Sequence, residues 1–560
     1  GATDQITHAT AEFVAQEEMD RLQGYWWSPD SKSIVYQRTD TSKLETFTIA
    51  DPFNPGKPAQ SWPYPRAGKA NAEVTLFLTP IDAPKPIEIT WDRTAFPYLA
   101  RVNWSENSPL CILVQNRTQT EHHLMRVDQA TGKTSSILNE KDPAWLNIPQ
   151  YKFLADGSGM WWVSADSGDK PPSDHDVLQK RRFGDEGALI CSSSDDHVEL
   201  LGLWSGGDSA FFSTTDETLC NDLAVYPALR GPRAHDDRTT LAERAPLTRH
   251  SAAFSKKSDL WVHTTNHSDA TITHDLRRAA GPSVARIKSV AEPLPFVPSL
   301  ELTRVRVGEH DLNAAIIRPR DFDPKKKYPV LDAVYAGPHV QTVVASRRAY
   351  LLQQWMADQG FIVVAIDARG TPGRGRAFER ATKDDLGSIP LSEHCDALIE
   401  LCKKYPELDR ERIGLYGWSF GGYFSALGAM RRPDIYKAGV AIAPVADWRD
   451  YDTHYTERYM GLPSDNPAGY DAASVLTYAK DLSVPLLIMH GTADDNVYII
   501  NSLRLTDALF RAGKRFEFVP LAGFTHAVNE PAALTEVWSR AARFFIEHLR
   551  APRAQSEKTP

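Results

Sequence analysis

Six short, continuous apolar runs leave the last half of the chain few folds to choose from: YPVLDAVYAG, FIVVAIDARG, RIGLYG, AGVAIAPV, VPLLIMHG and FEFVPLAG. All of them lie beyond Val297. A strand with one wet face alternates apolar and polar residues, whereas an unbroken run is buried on both faces. That is the condition of a parallel sheet covered by helices. Helix-patterned stretches such as LSEHCDALIELCKKY and NSLRLTDALFRAG lie between the runs. Strand and helix alternate, so residues 297–553 are expected to form an α/β domain.

Residues 1–296 have a different grammar. YWWSPDSKSIVYQRTD is a Ser-Pro-Asp turn between two strand-like runs. ARVNWSENSPLCILVQNR repeats the pattern, and YKFLADGSGMWWVSAD does so again around Asp-Gly-Ser-Gly. Imperfect recurrence at intervals of several tens of residues suggests the blades of a β-propeller, each a small antiparallel sheet. A β-sandwich is the alternative. The tail, 554–560, reads as disordered.

At 560 residues the chain is too long for one core, so at least two domains are expected. A hydrophobic share of 42% and a charged share of 24% are those of a globular protein. The net charge of −9 comes from interspersed residues of both signs, and the absence of a basic stripe argues against a nucleic-acid partner. No apolar run reaches the roughly 18–20 residues of a membrane span. The five cysteines are few, odd in number and without a C-x-x-C pair, so they indicate neither a disulfide framework nor a zinc site. Cys395 and Cys402, seven apart on a helical pattern, read as buried thiols.

Chemistry enters with GLYGWSFGGYFSALGAM, which carries G-x-S-x-G at Gly417, Ser419 and Gly421. A nucleophile on a tight strand-to-helix turn adopts strained dihedrals, and the flanking glycines remove side chains that would collide there. An apolar strand precedes the motif and a small-residue helix follows it, the context it requires. Ser419 would sit at the helix N-terminus, where free N–H groups favour developing negative charge. A serine hydroxyl needs a base. In the order Ser, Asp, His, each just past a strand, TADDNV offers Asp494 and Asp495, and FTHAV offers His526. His526 would serve as general base and then general acid, with the carboxylate holding its tautomer.

Other candidates read more plainly. His490 also ends a strand, but it precedes the Asp and is taken as a packing or hydrogen-bonding residue. Glu121, His122 and His123 have no further ligands at metal spacing and read as a solvated strand end. Glu17 and Glu18, in QEEMDRLQGYWWSPD, are adjacent like charges that repel; alone they would be a solvated turn.

The residues VYAGP, GWSFGGY, WRDYDTHYTERYMGLP, HGTADDNV and QEEMDRLQGYWWSPD with YPRAGKANAEV resemble the dipeptidyl peptidase IV branch of the prolyl oligopeptidase superfamily of serine peptidases. The resemblance is dense in the α/β half and over about the first hundred residues, and loose between about 165 and 290. It implies a β-propeller followed by an α/β-hydrolase domain. It matches Ser419, Asp494 and His526 to the triad, preferring Asp494 to Asp495 by its place in A-D-D-N. It matches Tyr335 and the backbone N–H of Phe420, a position held by Tyr in many relatives, to the oxyanion site. Val445, Trp448, Tyr451, Tyr455 and Val497 match the pocket for the residue before the scissile bond, and Asn496 the amide that binds a substrate carbonyl. Glu17 and Glu18 match the pair that holds the substrate's free α-ammonium by charge-assisted hydrogen bonds, so that only two residues fit between anchor and nucleophile.

What the resemblance implies is an exopeptidase that releases N-terminal dipeptides, with Pro and then Ala favoured at the penultimate position. It implies no metal or organic cofactor and a homodimer, with SWPYPRAGKANAEV forming an arm. Periplasmic or secreted residence is favoured over cytoplasmic. Relatives carry a propeller segment ahead of the Glu-Glu helix, with an arginine that contacts substrate. Here sixteen residues precede Glu17 and the first is Gly, so the chain reads as a mature form or a fragment whose propeller is incomplete. Two other readings remain. One is an acylaminoacyl peptidase, prolyl endopeptidase or esterase of the same superfamily, which would need no amine anchor. The other is an inactive propeller-based binding protein.

Overall fold

The computed structural model describes residues 2–50, 56–82, 84–106, 108–164, 174, 177–183, 189–194, 197–203, 209–215, 219–226, 239–255, 258–278 and 281–549. The tail expected at 554–560 lies outside them.

Up to Ile287, the described strands form five antiparallel sheets and one two-stranded ribbon. In the last four sheets each strand pairs with its sequence neighbour. The turns singled out in the sequence are the hairpin connections. Tyr25–Trp27 pairs with Ser33–Asp40, Tyr98–Ser105 with Ser108–Gln115, and Tyr151–Phe153 with Gly159–Ser164. Within a sheet the alternation decides what is inside: Val35 is buried with Val74, Leu76 and Ile112 in a shared apolar cluster. The ribbon joins Glu45–Ile49 to Gln60–Tyr64.

The same alternation corrects the reading of Glu121, His122 and His123. They begin the strand Glu121–Val127, but His122 points inward and is 1% exposed. The register sets it opposite Glu140, whose Oε2 lies 2.9 Å from its Nε2. His123 faces outward and bonds Glu121. Part of the supposed solvated end is thus a buried hydrogen-bonded contact. Among the described residues no cluster is suited to hold a metal ion.

From Leu300 the chain builds one eight-stranded sheet. Its strands are β1 (Leu300–Val307), β2 (His310–Ile317), β3 (Tyr328–Ala333), β4 (Ile362–Asp367), β5 (Leu408–Trp418), β6 (Tyr436–Ile442), β7 (Leu486–Gly491) and β8 (Glu517–Leu521). The order is β1-β2-β4-β3-β5-β6-β7-β8, antiparallel as far as β4 and parallel beyond it. The unbroken apolar runs are explained by cover on both faces. Val330, Val364 and Leu415 pack with Leu398 and Phe424, while Leu331, Val363 and Tyr416 pack with Met356, Ala541 and Phe545. Cys395 is buried and Cys402 half-buried, both as free thiols. No described helix is long and apolar enough to cross a membrane.

The two halves are stitched along the segment before and within the helix Thr453–Met460. Arg117 grips Glu457 with two bonds of 2.6 and 2.8 Å, and Gly68 N donates to the same carboxylate. Arg66 reaches Asp450 at 2.8 Å, and the backbones meet where Ala67 N donates to Tyr451 O and Thr453 N to Pro65 O. These bonds set the helix α1 (Phe13–Glu18) of the first half against the second.

Candidate active site

Ser419 lies between β5 and the helix α2 (Phe420–Arg431) with φ 60° and ψ −118°. Such a conformation is strained for any residue with a side chain and needs its surroundings to hold it. The surroundings explain the glycines. A Cβ on Gly421 would stand 2.3 Å from Val334 O, and one on Gly417 2.5 Å from the same oxygen. Ser419 N donates to Ile442 O, which ties the turn to β6. As the first residue of α2, Phe420 has a backbone N–H with no intrahelical partner.

Asp494 and His526 come from the loops after β7 and β8, and these loops bond each other. Thr492 N donates to Leu521 O and Ala493 N to Phe524 O. A Cβ on Gly491 would meet Phe524 O at 2.3 Å, so the close approach requires glycine. Asp494 Oδ2 lies 2.8 Å from His526 Nδ1, while Oδ1 accepts from Asn496 N and Val497 N at 3.0 and 2.9 Å. Asp495 is exposed. Burial opposes a charge on Asp494, but hydrogen bonds and charge from His490 and His526 outweigh it and hold the carboxyl below its usual range. For His526, burial works against the cation, and the bond and charge of Asp494, with Glu17 and Asp495 behind, push its pKa above 6.5. Trp418 Nε1 donates to His526 O at 3.1 Å. His490 is fully buried, with its ring bonded to Ser502 and Val497 O and 3.2 Å from Asp494.

These groups open on a cavity of about 470 Å³ between the halves. It is lined by Ser419, Phe420, His526, Tyr335, Val445, Trp448, Tyr451, Tyr455 and Asn496, together with Glu17 and Glu18 of the first half. One wall is aromatic. Tyr335 stacks on Phe420 at 5.9 Å, Trp448 stacks on Tyr455 at 5.8 Å, and Tyr451 meets both Trp448 and Tyr455 edge on. Val497 does not reach the cavity surface; it lies in the buried apolar cluster that includes Val445 and Trp448. Burial pushes the Tyr335 phenol up.

Asn496 Nδ2 donates to Glu17 Oε1, and Tyr451 Oη donates to Asn496 Oδ1 at 2.7 Å. Desolvation raises the Glu17 carboxyl. Glu18 is raised further, by burial and then by the charge of Asp452, with Arg458 opposing. Asp452 is itself fully buried and raised by desolvation. Its Oδ1 caps the helix Thr453–Met460 through Tyr455 N, and its Oδ2 has no hydrogen-bond partner.

The structure thus brings the sequence-predicted residues to one cavity, which Asp494 joins through His526 and Val497 through the buried cluster it shares with Val445 and Trp448. It adds four that sequence reasoning passed over: Asp452, Arg458 and Tyr459, all within the quoted WRDYDTHYTERYMGLP, and His339, which directly follows VYAGP.

Residues 348–552 match the prolyl oligopeptidase family, and residues 1–177 match the dipeptidyl peptidase IV N-terminal region. Human dipeptidyl peptidase 8 is 28% identical, over 94% of this chain and 68% of its own length. Bovine prolyl endopeptidase FAP is 26% identical, over 94% and 72%. The crystal structure of Porphyromonas gingivalis dipeptidyl peptidase 4 superposes with a TM-score of 0.86 at 26% identity, covering 98% of this chain and 78% of that one. Two matched regions, relatives along nearly the whole chain and a shared three-dimensional structure agree: the chain belongs to the dipeptidyl peptidase IV branch of the prolyl oligopeptidase family of serine peptidases.

Proposed function

We propose that the protein removes dipeptides from the free N-termini of peptides, with Pro and then Ala favoured at the penultimate position. The observation that carries the reading is the cavity itself. Ser419 and His526 of the second half and Glu17 and Glu18 of the first line the same cavity, which supports a nucleophile and an ammonium anchor sharing one substrate space.

In this reading Ser419 Oγ attacks the carbonyl of the second residue as His526 takes its proton, and Asp494 holds the imidazole with Nδ1–H toward it. The oxyanion is bound by the Tyr335 hydroxyl and the Phe420 N–H. His526 then gives the proton to the departing amine, and water, activated by the same ring, releases the dipeptide from Ser419. The pyrrolidine of proline, rigid and apolar, fits the box of Val445, Trp448, Tyr451 and Tyr455, backed by Val497, and loses little freedom on entering it. Asn496 donates to the carbonyl of the first residue. Glu17 and Glu18 take the ammonium, with Asp452 adding negative potential from below.

The same reading makes the antiparallel sheets of 1–296 the blades of a β-propeller, residues 297–553 an α/β-hydrolase domain, and the ribbon around Trp62, which is 47% exposed, the arm of a homodimer. Turnover of Gly-Pro and N-acetyl-Gly-Pro chromogenic amides tests the exopeptidase. Acetylation should cut kcat/KM by about 10–100-fold, the value of a charge-assisted contact of ~1.5–3 kcal/mol. Equal turnover would remove the anchor and favour an endopeptidase, acylaminoacyl peptidase or esterase.

A further inference from the structure

His339 has no part in the roles above, yet its ring stands between two of their tyrosines. It lies in the loop after β3, four residues past Tyr335, and lines the same cavity. Each ring nitrogen meets a hydroxyl: Nε2 is 3.2 Å from Tyr335 Oη, and Nδ1 is 3.2 Å from Tyr455 Oη. Both tyrosine rings meet the imidazole edge on, at 85° and 87°, so it is held from two sides.

The number of protons then matters. Burial and the Arg458 charge lower the His339 pKa to about 4, so at neutral pH the ring has one N–H and one lone pair. With the lone pair on Nε2, the imidazole would accept the Tyr335 proton and turn it away from the nucleophile. With the lone pair on Nδ1, Tyr455 donates to the ring and the ring donates to Tyr335 Oη. The Tyr335 O–H is then free to point toward Ser419, which lines the same cavity. Accepting one hydrogen bond also polarises the hydroxyl and improves it as a donor.

We propose that His339 is a positioning residue for the oxyanion site. Tyr455 O–H holds it as the Nε2–H tautomer, and it in turn fixes the Tyr335 proton toward the oxyanion. A wall of the specificity pocket and an oxyanion donor are thereby one hydrogen-bonded chain. The proposal rests on the role given to Tyr335 under the proposed function, and not on the ammonium anchor.

A double-mutant cycle tests it, using wild type, His339→Phe, Tyr335→Phe and the double variant, with His339→Gln as the conservative replacement. Two readouts are taken: kcat and KM on Gly-Pro p-nitroanilide, and the rate at which a fluorophosphonate labels Ser419, which needs the oxyanion site but no free amine. His339→Phe should lower kcat and the labelling rate about tenfold, the size of one lost hydrogen bond, with KM within about twofold. In the Tyr335→Phe background the same change should cost less than about twofold, and His339→Gln, which keeps a donor and an acceptor, should recover most of the rate. An undiminished loss in the Tyr335→Phe background would overturn the proposal, as would a rise in KM at constant kcat, or a Gln variant as slow as Phe. Failure of the dipeptidase reading is seen separately, as equal turnover of free and acetylated amides, while the labelling cycle still judges His339.

Discussion

Asn496 donates through Nδ2 to Glu17 Oε1, joining side chains 479 positions apart across the seam between the halves. Glu17 is also one of the charges that favour the His526 imidazolium. The base must be neutral to act, so activity is lost as pH falls through the raised His526 pKa. Glu17→Gln removes one charge that stabilises the cation, and the His526 pKa should drop. The acid limb of the rate of Ser419 inactivation by a fluorophosphonate should therefore move to lower pH. A limb that stays in place or moves up would show that Glu17 does not act on His526.

Asp494 accepts from His526 Nδ1 with one oxygen and from two backbone N–H groups with the other. Asp494→Asn keeps the shape but can offer His526 an N–H in place of a lone pair, which favours the wrong tautomer. We expect kcat to fall by about a thousandfold or more, with KM changed little. Steady-state kinetics at neutral pH check this.

Glu18 and Asp452 are raised carboxyls, so the folded protein holds protons that the unfolded chain releases. Their contribution to stability is full below the ordinary carboxylate pKa of about 4 and is lost as pH rises through the raised values. Asp452→Asn removes one of the repelling charges and leaves a side chain that still caps the helix. Its melting temperature should exceed wild type by about 1–3 °C at pH 8, with the gap shrinking toward pH 5. The gain should come with a higher KM for free-amine substrates, since negative potential at the anchor is lost. Thermal melts at the two pH values decide the matter.

Gly421 leaves no room for a Cβ, whose nearest neighbour would be Val334 O at 2.3 Å. Gly421→Ala must shift the backbone that carries Ser419. It should destabilise the fold by ~1–3 kcal/mol and abolish fluorophosphonate labelling. Gly56→Ala, with nothing within 4 Å of the added Cβ, is the control and should change neither.

Much of this was legible in the sequence because it is written in local patterns. Unbroken apolar runs announce strands covered on both faces, and G-x-S-x-G announces a turn that only glycine permits. Asp494 and His526 follow strands whose edges converge. His122 was misread because inward and outward positions on a strand differ by one residue, and its partner Glu140 is set by pairing register rather than by spacing. Asp452 and His339 escaped for a similar reason. Asp452 sits inside a recognised run and His339 just past one, but the meaning of each comes from a contact made in space: Asp452 against Glu18 of the other half, and His339 against Tyr455 in a helix more than a hundred positions on. Val497, matched to the pocket wall, packs in the same buried apolar cluster as Val445 and Trp448.

The most direct test is mass spectrometry of a synthetic decapeptide beginning Gly-Pro, incubated with the protein in free and N-acetylated forms. The free peptide should yield Gly-Pro and the residual octapeptide, and the acetylated one almost nothing, with Glu17→Gln and Glu18→Gln each suppressing the first reaction chiefly through KM. Cleavage of the acetylated peptide at the same bond and rate, indifferent to either glutamate, would contradict the claim that an anchored ammonium measures the substrate.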